Sequence, residues 1–151
     1  MKRSPELAPL SRDHHKALEV ALRLRRATAG NVDDAIEVFL AFWSHQGERH
    51  FAIEEQLVLP ALPDDDAGWA QAVRRVRDEH GEIRTRAAAL ARAPSVEAAR
   101  SLGEVLHGHV RYEERQLFEL LEERLSPEAL AVLGRTLASE GADSRGPRPD
   151  P

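Results

Sequence analysis

Cysteine is absent from the 151 residues. That excludes disulfides, thiolate metal sites and cysteine nucleophiles, so any metal must be held by nitrogen and oxygen. Aromatic residues are scarce at 5%, and strands depend on aromatic and β-branched side chains. Ala, Leu, Arg and Glu dominate instead, a composition suited to helices. No apolar run approaches the ~20 residues of a membrane span, and the opening MKRSPELAPLSRDHH lacks the apolar core of a secretion signal. A positive field is missing too. The formal net charge is -5, whereas nucleic-acid binding needs clustered positive charge to displace counterions from phosphate. The arginines at Arg74, Arg75, Arg77, Arg84 and Arg86 read as solvated helix faces balanced by neighbouring acids. The expectation is one cytoplasmic domain with no nucleic-acid or membrane partner.

The punctuation predicts an all-α chain. Pro5 and Pro9 mark residues 1–10 as an irregular arm, with Ser11 or Asp13 capping a first helix that stops at Gly30-Asn31. Asp33 or Asp34 caps a second helix ending at Pro60. A third runs from about Asp66 to Ala93 and a fourth from Ser95 to about Leu125. Ser126-Pro127-Glu128 starts a short fifth helix that ends near Ser139. Long helices joined by short turns pack as antiparallel neighbours, so residues 11–139 are expected to form an up-down-up-down four-helix bundle with a short fifth helix. Residues 140–151, with little apolar surface, are expected to be a disordered tail.

An internal repeat carries the chemistry. The first half holds Asp13-His14-His15 and then His50, Glu54 and Glu55; the second holds Asp78-Glu79-His80 and then His109, Glu113 and Glu114. Residues four apart share a helix face, with Cβ atoms about 5–6 Å apart. His50 with Glu54, and His109 with Glu113, can therefore each reach one ion. Counted from the turns at about 1.5 Å per residue, one histidine per helix falls at a common depth to within one or two turns. The same positions continue apolar stripes: Phe39, Trp43 and Leu57 around His50, Val73, Val76 and Ile83 around His80, and Leu102, Leu106 and Leu120 around His109.

A single histidine on an apolar face is usually a hydrogen-bonded core residue, but four at one depth point to a metal. His14 and His15 cannot both face inward, and the stripe Leu18, Ala21, Leu22 does not decide between them; the assignment goes to His15, with His14 the alternative. Adjacent residues point about 100° apart, so one glutamate of each pair faces the histidines. The register selects Glu54 and Glu113, leaving Glu55 and Glu114 facing outward or supporting the ligands from behind, and Glu114 remains the alternative to Glu113. His45 and His107 lie off the layer. The expected ligands are His15, His50, Glu54, His80, His109 and Glu113. With both glutamates bridging, two divalent ions keep about two open positions each for hydroxide, water or a small ligand. Charge favours an added anion. Nitrogen and oxygen donors admit iron, manganese, zinc and copper, and affinity alone favours copper. Four-helix bundles with inward glutamates and histidines are, however, a known setting for di-iron centres, so iron is the expectation, with manganese and zinc also compatible.

These segments resemble the hemerythrin-like family, the HHE cation-binding domain. The likeness runs over about residues 10 to 125 and rests on Asp13-His14-His15, His50 through Glu54-Glu55 to Leu59-Pro60, Asp78-Glu79-His80, and His109 through Glu113-Glu114 to Leu117-Phe118. It implies a di-iron centre with a bridging hydroxide or oxo group, held by the six residues already chosen. The implied ligand is oxygen, peroxide or nitric oxide, or iron itself is the cargo. Whether the chain acts as an enzyme stays open. Oxygen-carrying members place a second histidine one turn from the third-helix ligand; here those positions are Val76 and Arg84, which points away from simple oxygen carriage.

Overall fold

Proline starts the chain's first helix instead of delaying it. The computed structural model describes residues 3–63 and 65–143. Pro5 opens a single 3-10 turn, Pro5–Leu7, and α1 (Ala8–Arg25) follows with Pro9 in its first turn. There a missing N–H costs nothing, because the first four amides of a helix have no intrahelical acceptor. Ser11 and Asp13, expected as caps, therefore lie inside α1, and their side chains are free for other work. The arm expected over residues 1–10 is largely structured, with Leu7 and Leu10 buried.

The second helix is one rod in five pieces. α2 (Val32–Phe42) passes through a π turn, Trp43–Gly47, into α3 (Glu48–Ile53), and a second π turn, Glu54–Val58, leads to the 3-10 turn Leu59–Ala61. Asp33 and Asp34 sit in the first turn of α2, where they favour the positive end of the helix, while Asn31 holds the capping position. α4 (Ala67–Arg92) is capped by Asp66, whose carboxylate accepts from the Trp69 amide at 3.0 Å. α5 (Val96–Tyr112) is capped by Ser95, whose hydroxyl accepts from the Ala98 amide at 3.0 Å. α5 continues through a π turn, Glu113–Leu117, into α6 (Phe118–Arg124). Ser126 and Pro127 begin α7 (Pro127–Asp143) as the sequence predicts, but α7 has 17 residues and runs four past the expected end. It is held by burial of Leu133 and Leu137 against Leu7 and Leu10. The rest of the expected tail, residues 144–151, lies outside the described residues.

The described residues thus form five helical rods and no strand. α1 packs between α2 and α5, and α4 packs against α5 and α2. Two apolar clusters divide the interior. One gathers Ala17, Leu24, Phe39, Phe51, Ile83 and Leu106; the other gathers Leu10, Val58, Trp69, Val76, Leu117 and Phe118. Each of the four site-bearing rods crosses from one cluster to the other, and α1 and α4 cross in the opposite sequence order to the second and fourth rods. The polar layer lies between the clusters.

Candidate metal centre

Six polar side chains are buried in that layer: His14, His50, Glu54, His80, His109 and Glu113. Five were expected. The first helix contributes His14, which is 2% exposed, and not His15, which faces solvent. The reason is rotational: α1 buries Leu10, Ala17, Ala21 and Leu24, and His14 lies four residues after Leu10 and three before Ala17. The offsets match those of His80 from Val76, Ile83, Ala87 and Leu90 on α4. The deciding signal in the sequence is therefore the stripe Leu10, Ala17, Ala21 and Leu24, which the exposed Leu22 obscures. The matching pairs are Asp13-His14 and Glu79-His80. His45 is exposed and His107 lies off the layer, as expected.

All four Nε2 atoms turn inward onto the two glutamates. Glu54 Oε1 lies 2.7 Å from His50 and 3.3 Å from His14, and its Oε2 lies 3.1 Å from His80. Glu113 Oε1 lies 2.7 Å from His109 and 3.4 Å from His80, and its Oε2 lies 2.9 Å from His14. Close as they are, Nε2 of His50, His80 and His109, Oε2 of Glu54 and both Glu113 oxygens have no hydrogen-bond partner among the described residues. Burying such atoms unpartnered is costly. They fit metal ligation instead. Donors about 2.1 Å from a common ion sit roughly 3.0–3.4 Å apart in octahedral or tetrahedral arrangement, close to the separations seen. The ligand atoms fall into two groups, each within 4.8 Å: His14, His50, Glu54 and Glu113, and His80, His109, Glu54 and Glu113.

A ring of outer carboxylates fixes the histidines. Nδ1 of His14 faces Glu114 at 2.7 Å, His50 faces Asp13 at 3.0 Å, His80 faces Glu55 at 3.3 Å and His109 faces Glu79 at 3.1 Å. An ionised carboxylate only accepts, so each Nδ1 carries a hydrogen and donates it, and Nε2 is the nitrogen turned toward the inner glutamates and able to meet a metal. The pattern repeats between halves: Asp13 and Glu79, each just before the histidine of α1 or α4, serve the next rod, and Glu55 and Glu114, each just after an inner glutamate, serve the opposite half. Phe51 stacks on His80 with centroids 3.7 Å apart, and Phe118 lies parallel to His14 at 5.2 Å. Arg84 donates two hydrogen bonds to Glu55, both at 2.9 Å.

The electrostatics fit a site built for cations. Burial alone would lower the pKa of His50 and His109, but the charge of Glu54 raises the first to about 9 and that of Glu113 raises the second to about 10. Burial and the neighbouring Glu54 would raise the pKa of Glu113, yet His109 and His14 hold it down at about 2.

The π turns belong to this arrangement. His50, Glu54 and Val58, like His109, Glu113 and Leu117, are inward residues in steps of four, which drift about 40° per step on a 3.6-residue helix. A π turn beginning at each inner glutamate takes up that drift.

Fold and site together define an all-helical chain with a buried histidine and glutamate cluster able to hold metal cations. The chain belongs to the hemerythrin family: the model of the hemerythrin HHE cation binding domain matches residues 7–121. No curated protein and no solved structure matches it. No helix of the described residues is long and apolar enough to cross a membrane.

Proposed function

We propose that the chain is a non-haem di-iron protein whose two ions share Glu54 and Glu113, and that it handles a small molecule, namely oxygen, peroxide or nitric oxide, in the cytoplasm. One observation carries the reading: each inner glutamate turns one oxygen toward the His14 and His50 side and the other toward the His80 and His109 side. That is the posture of a carboxylate bridging two ions. The crossings between the two apolar clusters support an up-down-up-down bundle as its frame. Bound iron, with the hydroxide or oxo group expected between the ions, would supply redox chemistry and a place for a small ligand, and manganese or zinc would suit the same donors.

The chain's own residues do the rest. The outer carboxylates orient the four imidazoles. An apolar cavity of ≈ 10 Å³, walled by Ala17, Phe42, Phe51, Leu106 and Val110, adjoins His14, His50 and His109. It holds about one water-sized group, which suits a diatomic or peroxide ligand and keeps bulk water away from it.

Metal analysis of protein from iron-supplemented growth, with an ultraviolet-visible spectrum before and after reduction and exposure to oxygen, peroxide and nitric oxide, tests this. About two irons per chain, with near-ultraviolet charge-transfer bands that respond to one ligand, are expected. Rapid peroxide turnover at the reduced site would mark a stress enzyme. Colourless protein would overturn the proposal in favour of a helical interaction protein, with a structural metal if it holds zinc and without one if it holds nothing.

A further inference from the structure

Resting on the two-ion reading above, we infer that the two metal positions differ in lability, and that ions load and leave through the His50 corner, with Asp13 as the residue that holds it shut. Three outer carboxylates are themselves clamped. Glu114 accepts from Ser11 at 2.9 Å and meets Arg3 at 3.4 Å, Glu55 is gripped by Arg84 at 2.9 Å, and Glu79 meets Arg75 at 3.3 Å. Their side chains are 20–24% exposed. Asp13 has His50 as its sole hydrogen-bond or ion-pair partner among the described residues and is 44% exposed.

His50 is likewise the most exposed member of the cluster, at 8%, where the other three histidines reach 2% at most. A solvent-open pocket of ≈ 400 Å³ lies against this corner, between α1, the second rod and α7, with Asp13 and His50 among its walls beside Arg12, His45 and Gln46. Asp13, Gln46 and His50 also wall the small apolar cavity next to the site. Three side chains therefore separate solvent from the cluster here. Gln46 sits in the π turn Trp43–Gly47, one turn before His50. The opposite pair is covered: Phe51 lies flat on His80, with Arg84 beyond it, 5.7 Å from the Phe51 ring.

An ion at the His14 and His50 position can thus be released by swinging one imidazole whose outer anchor is not itself held. Release from the His80 and His109 position requires breaking a clamped pair and unstacking a phenylalanine. Asp13 acts through His50 and is a positioning residue.

The test uses the metal-loaded full chain, zinc or ferrous iron as the probe, and an excess of chelator under stopped-flow conditions. Release is expected in two phases of equal amplitude. Asp13→Ala should accelerate the fast phase roughly 10-fold, the lower end of the usual loss on removing such a support, and leave the slow phase unchanged. Asp13→Asn, which keeps an acceptor oxygen, should restore most of the original rate. Exposed Gln46→Trp should slow the fast phase by narrowing the passage, and Glu79→Ala should accelerate only the slow phase. Two ions leaving in one phase, or a fast phase indifferent to both Asp13→Ala and Gln46→Trp, would overturn the inference while leaving the di-metal reading intact. Failure of the unsubstituted chain to bind two ions would overturn both.

Discussion

At the scale of single residues, the centre depends on which side chains are inside and not on how many histidines the chain has. Seven are present, and four are buried at the glutamates. Replacing His14 with Ala should remove one of the four nitrogen donors and lower metal stoichiometry from about two ions to one or none. His15→Ala, on the solvent face, should leave it unchanged. The same contrast is expected between His50→Ala and His45→Ala. Metal analysis of the four purified variants decides the matter, and full loading of His14→Ala would show that the assignment on the first helix is wrong. Four of the histidine and glutamate positions were legible from the i, i+4 pairs because a helix face converts spacing directly into proximity. A fifth, His80, was legible from its stripe. His14 was obscured because its neighbour His15 is chemically identical, and only the full stripe of Leu10, Ala17, Ala21 and Leu24 separates them.

Elements decide whether those residues meet at all. α1 and α5 approach so closely at Gly103 that an added Cβ would lie 2.7 Å from the Arg25 amide nitrogen and 2.9 Å from the Ala21 carbonyl oxygen. Both neighbours are backbone and cannot swing aside. Gly103→Ala is expected to push the helices apart and cost about 1–3 kcal/mol. For a domain of this size that is a fall of roughly 2–4 °C in melting temperature per kcal/mol, measurable by circular dichroism on the metal-free chain. An unchanged melting temperature would mean that the helices are not packed this tightly. Helix existence and most ends were legible from prolines, caps and periodicity, and α4 differs from its expected span by a residue at each end. Four features were not, the first being that α1 already ends at Arg25, well short of Gly30-Asn31. Pro9 has the sequence signature of a breaker, yet proline is welcome in a first turn, where α1 places it. The length of α7 depends on tertiary burial of Leu133 and Leu137, which local sequence does not encode. The π turns leave a faint trace only, inward residues repeated in strict steps of four.

On the scale of the whole molecule, protons and metal ions compete for one cluster, and this sets opposite pH trends for the two forms. In the metal-free chain His50 and His109 have pKa values raised to about 9 and about 10 from an ordinary 6.5. A raised folded pKa stabilises the fold fully below the unfolded value, and the contribution disappears as pH climbs through the folded one. Glu113, depressed to about 2 from 4.5, contributes in the opposite sense: its stabilisation is present above 4.5 and lost as pH falls toward 2. Metal-free protein should therefore be most stable between about pH 4.5 and 6.5, and its melting temperature should fall between pH 7 and 10. Metal requires neutral imidazoles, so loading at pH 7 should release protons, and the stabilisation gained from metal should grow as pH rises. Paired melts with and without metal at pH 6, 8 and 10, together with proton release into weak buffer, measure both trends. A gap between loaded and free protein that narrowed with rising pH would show that the buried imidazoles are neutral before metal arrives, and that the inner glutamates are not what holds their protons.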